Sequence, residues 1–349
     1  MSFLPHFWTS VVGSFPHLDG AALSRKLVDK LDVPDWPQLP NRTFRENMYA
    51  QYSASLPAIV FDDAHKKIYF DTTGDITPAM EYFYEHYLSD DVEAFSLRPE
   101  WAAGFFAMLD ALRQSPGEWI KGQVTGPVSL GLTVTDQDLR AGLYNELLAD
   151  AIVKNLSMNA RWQVRQLKAV RPNVFIFVDE PYLASFGSAY ISLSRELVIG
   201  MLDEVFEAIH SEGALAGVHC CANTDWSVLL ATQVDILNLD AYGYMDNLAL
   251  YPLELRRFLD RNGVVAWGIV PNNATVAGVT PRDLSRRLQS GLQVIVDKAA
   301  TRGVQIKMGE FASRSLIVPS CGLGSTTVEI AEQVVEMVVR TGEILQQEL

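Results

Sequence analysis

The chain reads as an α/β protein built as a TIM (β/α)8 barrel, with a β-hairpin inserted between the second and third strands. Three observations predict this. Eight short apolar segments alternate with helical patterns along 349 residues. Such alternation implies a parallel sheet with crossover helices, and eight units fit a barrel better than an open sheet. The interval after the second segment is too long for a single crossover. It holds two runs, Ala58–Asp62 and Lys67–Asp71, around Asp63-Ala64-His65-Lys66, which reads as a hairpin.

In chain order, the strand segments are Ser10–Ser14, Val33–Leu39, Glu118–Val124, Val174–Val178, Leu215–Cys221, Val234–Leu239, Val264–Ile269 and Leu316–Ser320. The second is the weakest, because Pro34, Pro37 and Pro40 remove ladder donors in and beside it. Helices are expected at about 19–31, 77–87, 98–113, 136–169, 191–211, 225–231, 252–261, 281–300 and 326–346. With no internal repeat, low-complexity tract or linker, residues 1–349 read as one domain carrying a hairpin at about 58–71.

Composition narrows the function. The chain is 48% hydrophobic, enough for a large core, and its net charge is −14. An acidic surface argues against nucleic acid and anionic membranes as partners. The first ten residues lack the basic start and apolar run of a signal peptide. No stretch approaches the roughly 20 apolar residues that cross a bilayer. Three cysteines, an odd and low count, suit a reducing cytoplasm and not a disulfide framework.

All three cysteines lie at strand termini. In Gly217-Val218-His219-Cys220-Cys221, alternation places His219 and Cys221 on one face and Cys220 on the other. Asn238 and Asp240 share a face at the end of the sixth strand, and Cys321 follows the eighth. His219, Cys221, Asp240 and Cys321 thus form an expected N, S, O, S ligand set. That mixture suits tetrahedral zinc and disfavours magnesium or calcium. Alone, Asp240 reads equally as a helix N-cap, and Cys220 as packing. Asp179-Glu180-Pro181 puts two carboxylates at the end of the fourth strand. Both are expected in catalysis, one of them holding a substrate ammonium group.

Taken together, these residues make the chain similar to the catalytic barrel of cobalamin-independent methionine synthases, within the wider uroporphyrinogen decarboxylase-like superfamily. The shared motifs are Val12-Gly13-Ser14-Phe15-Pro16, Thr125-Gly126-Pro127-Val128, Asp179-Glu180-Pro181, His219-x-Cys221 and Pro319-Ser320-Cys321-Gly322-Leu323. They span nearly the whole chain in order. Trp36-Pro37-Gln38-Leu39-Pro40 and Arg45-Glu46-Asn47-Met48 look like a short branch of that superfamily. The resemblance implies zinc held by His219, Cys221 and Cys321, with Asp240 where the family has Glu. It also implies that Ser14 and Asp179 hold the amino-acid part of homocysteine. Glu46 and Glu81 are further acidic positions without a clean family counterpart.

Two departures bear on the methyl donor. Val128 is followed by Ser129-Leu130-Gly131-Leu132, without the family's folate-stacking Trp, and Ile269-Val270-Pro271-Asn272 lacks the family's His. Folate leaves poorly unless its departing nitrogen is protonated, whereas cobalt leaves carrying the electron pair. The expected donor is therefore a methylcorrinoid, free or carried on a corrinoid protein. Two rival readings stand beside this one. One is a metal-free decarboxylase-like lyase, with Arg42 and Arg45 facing an acidic substrate. The other is a non-catalytic zinc- or corrinoid-binding protein.

Overall fold

A computed structural model describes residues 3–187 and 192–349. The first residue of the helix expected from 191 lies outside these; its described part is Arg195–Ser211, capped by the Ser194 hydroxyl. The strands are β1 (Trp8–Thr9), β2 (Ile59–Asp62), β3 (Lys67–Phe70), β4 (Trp119–Thr125), β5 (Asn173–Asp179), β6 (Leu215–Cys220), β7 (Ile236–Leu239), β8 (Val264–Val270) and β9 (Ser315–Pro319). Seven of them form one parallel sheet in the order β1-β9-β8-β7-β6-β5-β4, and β2 pairs antiparallel with β3. The inserted hairpin is therefore present.

The expected eight-stranded ladder does not close. In the place of its second strand, residues 33–38 make only isolated bridges, Asp35 with Lys121 and Ser14 with Gln38. The segment still bonds to both sides: Val33 N–H donates to Thr9 O at 3.0 Å, and Lys121 N–H donates to Pro34 O at 2.9 Å. Pro34 and Pro37 have no N–H to give, so a continuous ladder is impossible there. The expected first strand is displaced too. Its regular part is Trp8–Thr9; Ser10–Ser14 lies beyond that strand, bends at Gly13 and makes one isolated bridge, Ser14 with Gln38.

Alternation along the strands separates two apolar layers. Outward residues such as Val178, Val218, Cys220, Leu237 and Leu239 pack with the helices in the large core. Inward residues Phe175, Phe177, Ile236, Val264, Ala266, Leu316 and Val318 form a smaller second core. Moving two residues at a time toward the strand ends, the inward face turns polar: Lys121, Gln123, Asp179, His219 and Asn238. The site is thus the polar upper continuation of an apolar floor.

Loop 41–57 forms one wall of that site and is pinned from beneath. Thr125 Oγ1 donates to Met48 O at 2.6 Å, Tyr52 Oη to Gln123 O at 2.8 Å, and Asn155 Nδ2 to Tyr52 O at 2.7 Å. The hairpin is fastened as firmly. Arg45 pairs with Asp63 at its tip, and the guanidinium lies 4.7 Å from the ring centres of both Phe61 and Trp101. Cation–π contact plus a bidentate carboxylate makes this a clamp.

Three short helices are not legible as periodic patterns: Pro127–Thr133, Ala241–Leu248 and Met308–Ser313. The expected 136–169 helix begins later, at Glu146, with Asn145 capping it.

Candidate metal centre

His219, Cys221 and Cys321 come together. Their donor atoms lie within 4.8 Å of one another. Strand β6 delivers His219, the residue just past its end is Cys221, and the turn after β9 delivers Cys321. The His219 ring is oriented from behind: Nδ1 lies 2.6 Å from Asn238 Oδ1. Asn238 is itself fixed, its Nδ2 donating to Ala266 O at 2.8 Å. Nδ1 therefore donates to Asn238, and Nε2 faces the pocket, buried without a hydrogen-bond partner among the described residues; burial lowers the ring's pKa, but the nearby Cys221 and Asp179 raise it overall. A histidine held by one nitrogen with the other bare is how metal ligands are presented.

The two thiols share an environment. The neighbouring Cys321 and His219 hold Cys221 well below the ordinary thiol range, and the same contact with burial raises Cys321. Cys220 behaves differently: burial pushes it up to about 12, and it sits in the outer core.

The structure brings together three of the four expected ligands. Asp240 stays outside the group; its Oδ1 accepts the Gly243 N–H at 2.7 Å and caps helix Ala241–Leu248. Burial raises its carboxyl, with a smaller push from the nearby Cys221. A side chain one methylene shorter than Glu is here taken up by its own helix.

Asp179 and Glu180 diverge. Asp179 lines the pocket with His219, Cys221 and Cys321, and its buried Oδ1 has no partner among the described residues. Burial pushes its carboxyl up to about 6, opposed by His219 and Lys121. Glu180, expected to be catalytic, points the other way. Its carboxylate accepts Val128 N–H at 2.9 Å, Ser129 N–H at 2.8 Å and Ser129 Oγ–H at 2.5 Å. It thereby holds the first turn of helix Pro127–Thr133. Gly126 is needed for this, because a Cβ there would sit 2.1 Å from the Glu180 carboxyl carbon.

Ser14 also lines the pocket, of about 440 Å³. Its Oγ accepts Gly324 N–H at 3.2 Å, which ties it to the turn bearing Cys321. Asn272, in the stretch after β8 that carries no His, braces that turn. Its Nδ2 donates to Gly322 O at 3.1 Å, and its N–H to Ser320 Oγ at 3.2 Å. Glu46 is buried and bonded to Arg42, and Arg45 is spent on the hairpin clamp. Glu81 is exposed on helix Thr77–Leu88 and lines neither this pocket nor the cleft beside it.

Sequence reading misses the fully buried pair Lys121–Asp35. Lys121 Nζ lies 2.7 Å from Asp35 Oδ2 and 2.8 Å from Val12 O, and 4.6 Å from the centre of the Phe177 ring. The available signal is a Lys and an Asp on inward positions of two barrel segments, where apolar residues are the rule.

No protein-family model matches the chain, and no curated protein matches it. Among solved structures, it is similar to a B12-independent methionine synthase from Shewanella sp. W3-18-1, solved in complex with selenomethionine. The match has a TM-score of 0.57 and 14% identity, and covers 99% of each chain. The fold is methionine synthase-like. Among the described residues, no helix is long and apolar enough to cross a membrane.

Proposed function

We propose that the protein is a zinc-dependent S-methyltransferase acting on homocysteine, with a methylcorrinoid as donor. The observation that carries this reading is the company kept by two buried, unpartnered atoms. His219 Nε2 and Asp179 Oδ1 belong to one pocket with two cysteine sulfurs. One nitrogen and two sulfurs at this spacing suit zinc, whose bonds to such donors are about 2.0–2.3 Å.

Zinc bound by His219, Cys221 and Cys321 would supply Lewis acidity that keeps a substrate thiol deprotonated near neutral pH. The chain's own residues do the rest. Asn238 fixes the tautomer and orientation of His219. Asp179, ionised above about pH 6, takes the substrate ammonium. Ser14 bounds the same amino-acid end. The reaction forms a C–S bond as the methyl–donor bond breaks, the electron pair leaves with the donor, and the thiol proton goes to solvent. A corrinoid accepts that pair on cobalt without protonation. This accords with Ser129, where a folate-stacking ring would stand, being bonded to Glu180, and with the lack of a histidine in Ile269–Ala274 to serve as an acid. The lyase alternative loses support because Arg42 and Arg45 are engaged with Glu46 and Asp63.

The test is methionine formation from homocysteine with methylcobalamin and methyltetrahydrofolate assayed side by side. Turnover with methylcobalamin is expected. Turnover with folate alone overturns the donor assignment, and turnover with neither overturns the activity. Asp179→Asn is expected to weaken homocysteine binding, raising KM by roughly 10- to 100-fold, the worth of a charge-assisted hydrogen bond of about 1.5–3 kcal/mol. Mercaptopropionate, a thiol acid with no ammonium group, should be used as well by the variant as by the wild type. Equal losses for both thiols would refute the role of Asp179.

A further inference from the structure

A second cleft, of about 1010 Å³, adjoins the metal pocket. Pro40, Asn41 and Asn47 line both. Its far walls are the hairpin, through Lys66–Tyr69, and the loop Thr135–Leu139. Its volume is at the upper end of the roughly 300–1,000 Å³ of small-molecule sites, far more than homocysteine needs.

Its charge is unusual for a protein of net charge −14. Lys66 and Lys67 are both exposed on the cleft wall. The acids around them are already engaged. Asp62 accepts from His65, Asp63 from Arg45, and Asp136 from the N–H groups of Asp138 and Arg140. Arg42, the third cation of the cleft, is bonded to Glu46. Two cations without a carboxylate partner among the described residues therefore face a concave wall, where low-dielectric sides concentrate their field. The hairpin cannot simply swing clear, because the Arg45 clamp fixes it and Phe70 N–H donates to Thr135 O at 2.9 Å.

We propose that this hairpin-walled cleft is the donor site, and that Lys66 and Lys67 bind an anionic tail of the methyl donor while its reactive end passes Asn41 and Asn47 toward the metal centre. The inference rests on the methyl-transfer reading and adds the recognition chemistry. A phosphate on the nucleotide tail of a corrinoid and the carboxylates of an oligoglutamyl folate present the same anionic group.

Equilibrium dialysis separates these sources without needing turnover. The probes are methylcobalamin, methylcobinamide (which lacks the phosphate-bearing tail) and methyltetrahydrofolate with one or several glutamates. The wild-type protein should bind methylcobalamin more tightly than methylcobinamide. Lys66→Glu with Lys67→Glu should weaken methylcobalamin about tenfold and erase the difference, with zinc content retained. Salt at about 0.5 M should shrink the wild-type preference, because exposed charges are screened. A tenfold loss confined to oligoglutamyl methyltetrahydrofolate would instead place a carboxylate tail in the cleft, supporting the anion site and assigning the other source. Unchanged binding of all four probes, or equal losses for methylcobalamin and methylcobinamide, overturns the inference. Tail-dependent binding without methyl transfer would sink the proposed activity and leave the cleft assignment standing. Methyl transfer indifferent to Lys66 and Lys67 would do the reverse.

Discussion

Cys321→Ser is expected to leave the purified protein without stoichiometric zinc and without methyl transfer. Cys321 is one of only three donors in the group. Loss of an outer-shell partner to a metal ligand already costs about 10- to 100-fold in affinity, so loss of a thiolate ligand should exceed roughly 100-fold. Metal analysis after dialysis against a weak chelator reads this directly. Cys220→Ala is the control, because Cys220 lies next to Cys221 in sequence but in the outer core. It should keep its zinc. Stoichiometric zinc in Cys321→Ser, or zinc lost equally in Cys220→Ala, would refute the assignment.

Lys121→Met should lower stability by roughly 3–5 kcal/mol, the usual cost of leaving one member of a buried ion pair uncompensated. Both side chains of the pair are fully buried. Burial raises the Asp35 carboxyl, and Lys121 is the main influence opposing that rise. Adding Asp35→Asn to Lys121→Met removes the stranded charge and should recover much of the loss. Urea unfolding of the two single variants and the double variant gives the coupling. A single-variant cost under about 1 kcal/mol, or a double variant no better than Lys121→Met, would show that the pair is not what balances the inner face of the sheet.

Strand alternation is well legible in the sequence, because inward and outward apolar residues repeat every two positions from β4 to β9. That same period puts His219 and Cys221 on one face and Cys220 on the other. It fails at Val33–Leu39, where two prolines let the chain fill a strand's place with bridges alone. Nor can it decide between uses of a carboxylate. Asp179, Glu180 and Asp240 look alike as acids at strand ends. Only three-dimensional neighbours distinguish them: a bare pocket for Asp179, the N–H groups of Val128 and Ser129 for Glu180, and the Gly243 N–H for Asp240. Arg45 is ambiguous for the same reason, since its partners Asp63, Phe61 and Trp101 meet it only through the folded hairpin.

The most direct test of the central claim is X-ray absorption at the zinc edge, on the protein as purified and after adding homocysteine. One zinc per chain bound by two sulfurs and one imidazole nitrogen is expected, rising to three sulfurs with the thiol present. Zinc-free protein, or a sulfur count that homocysteine does not change, would contradict it.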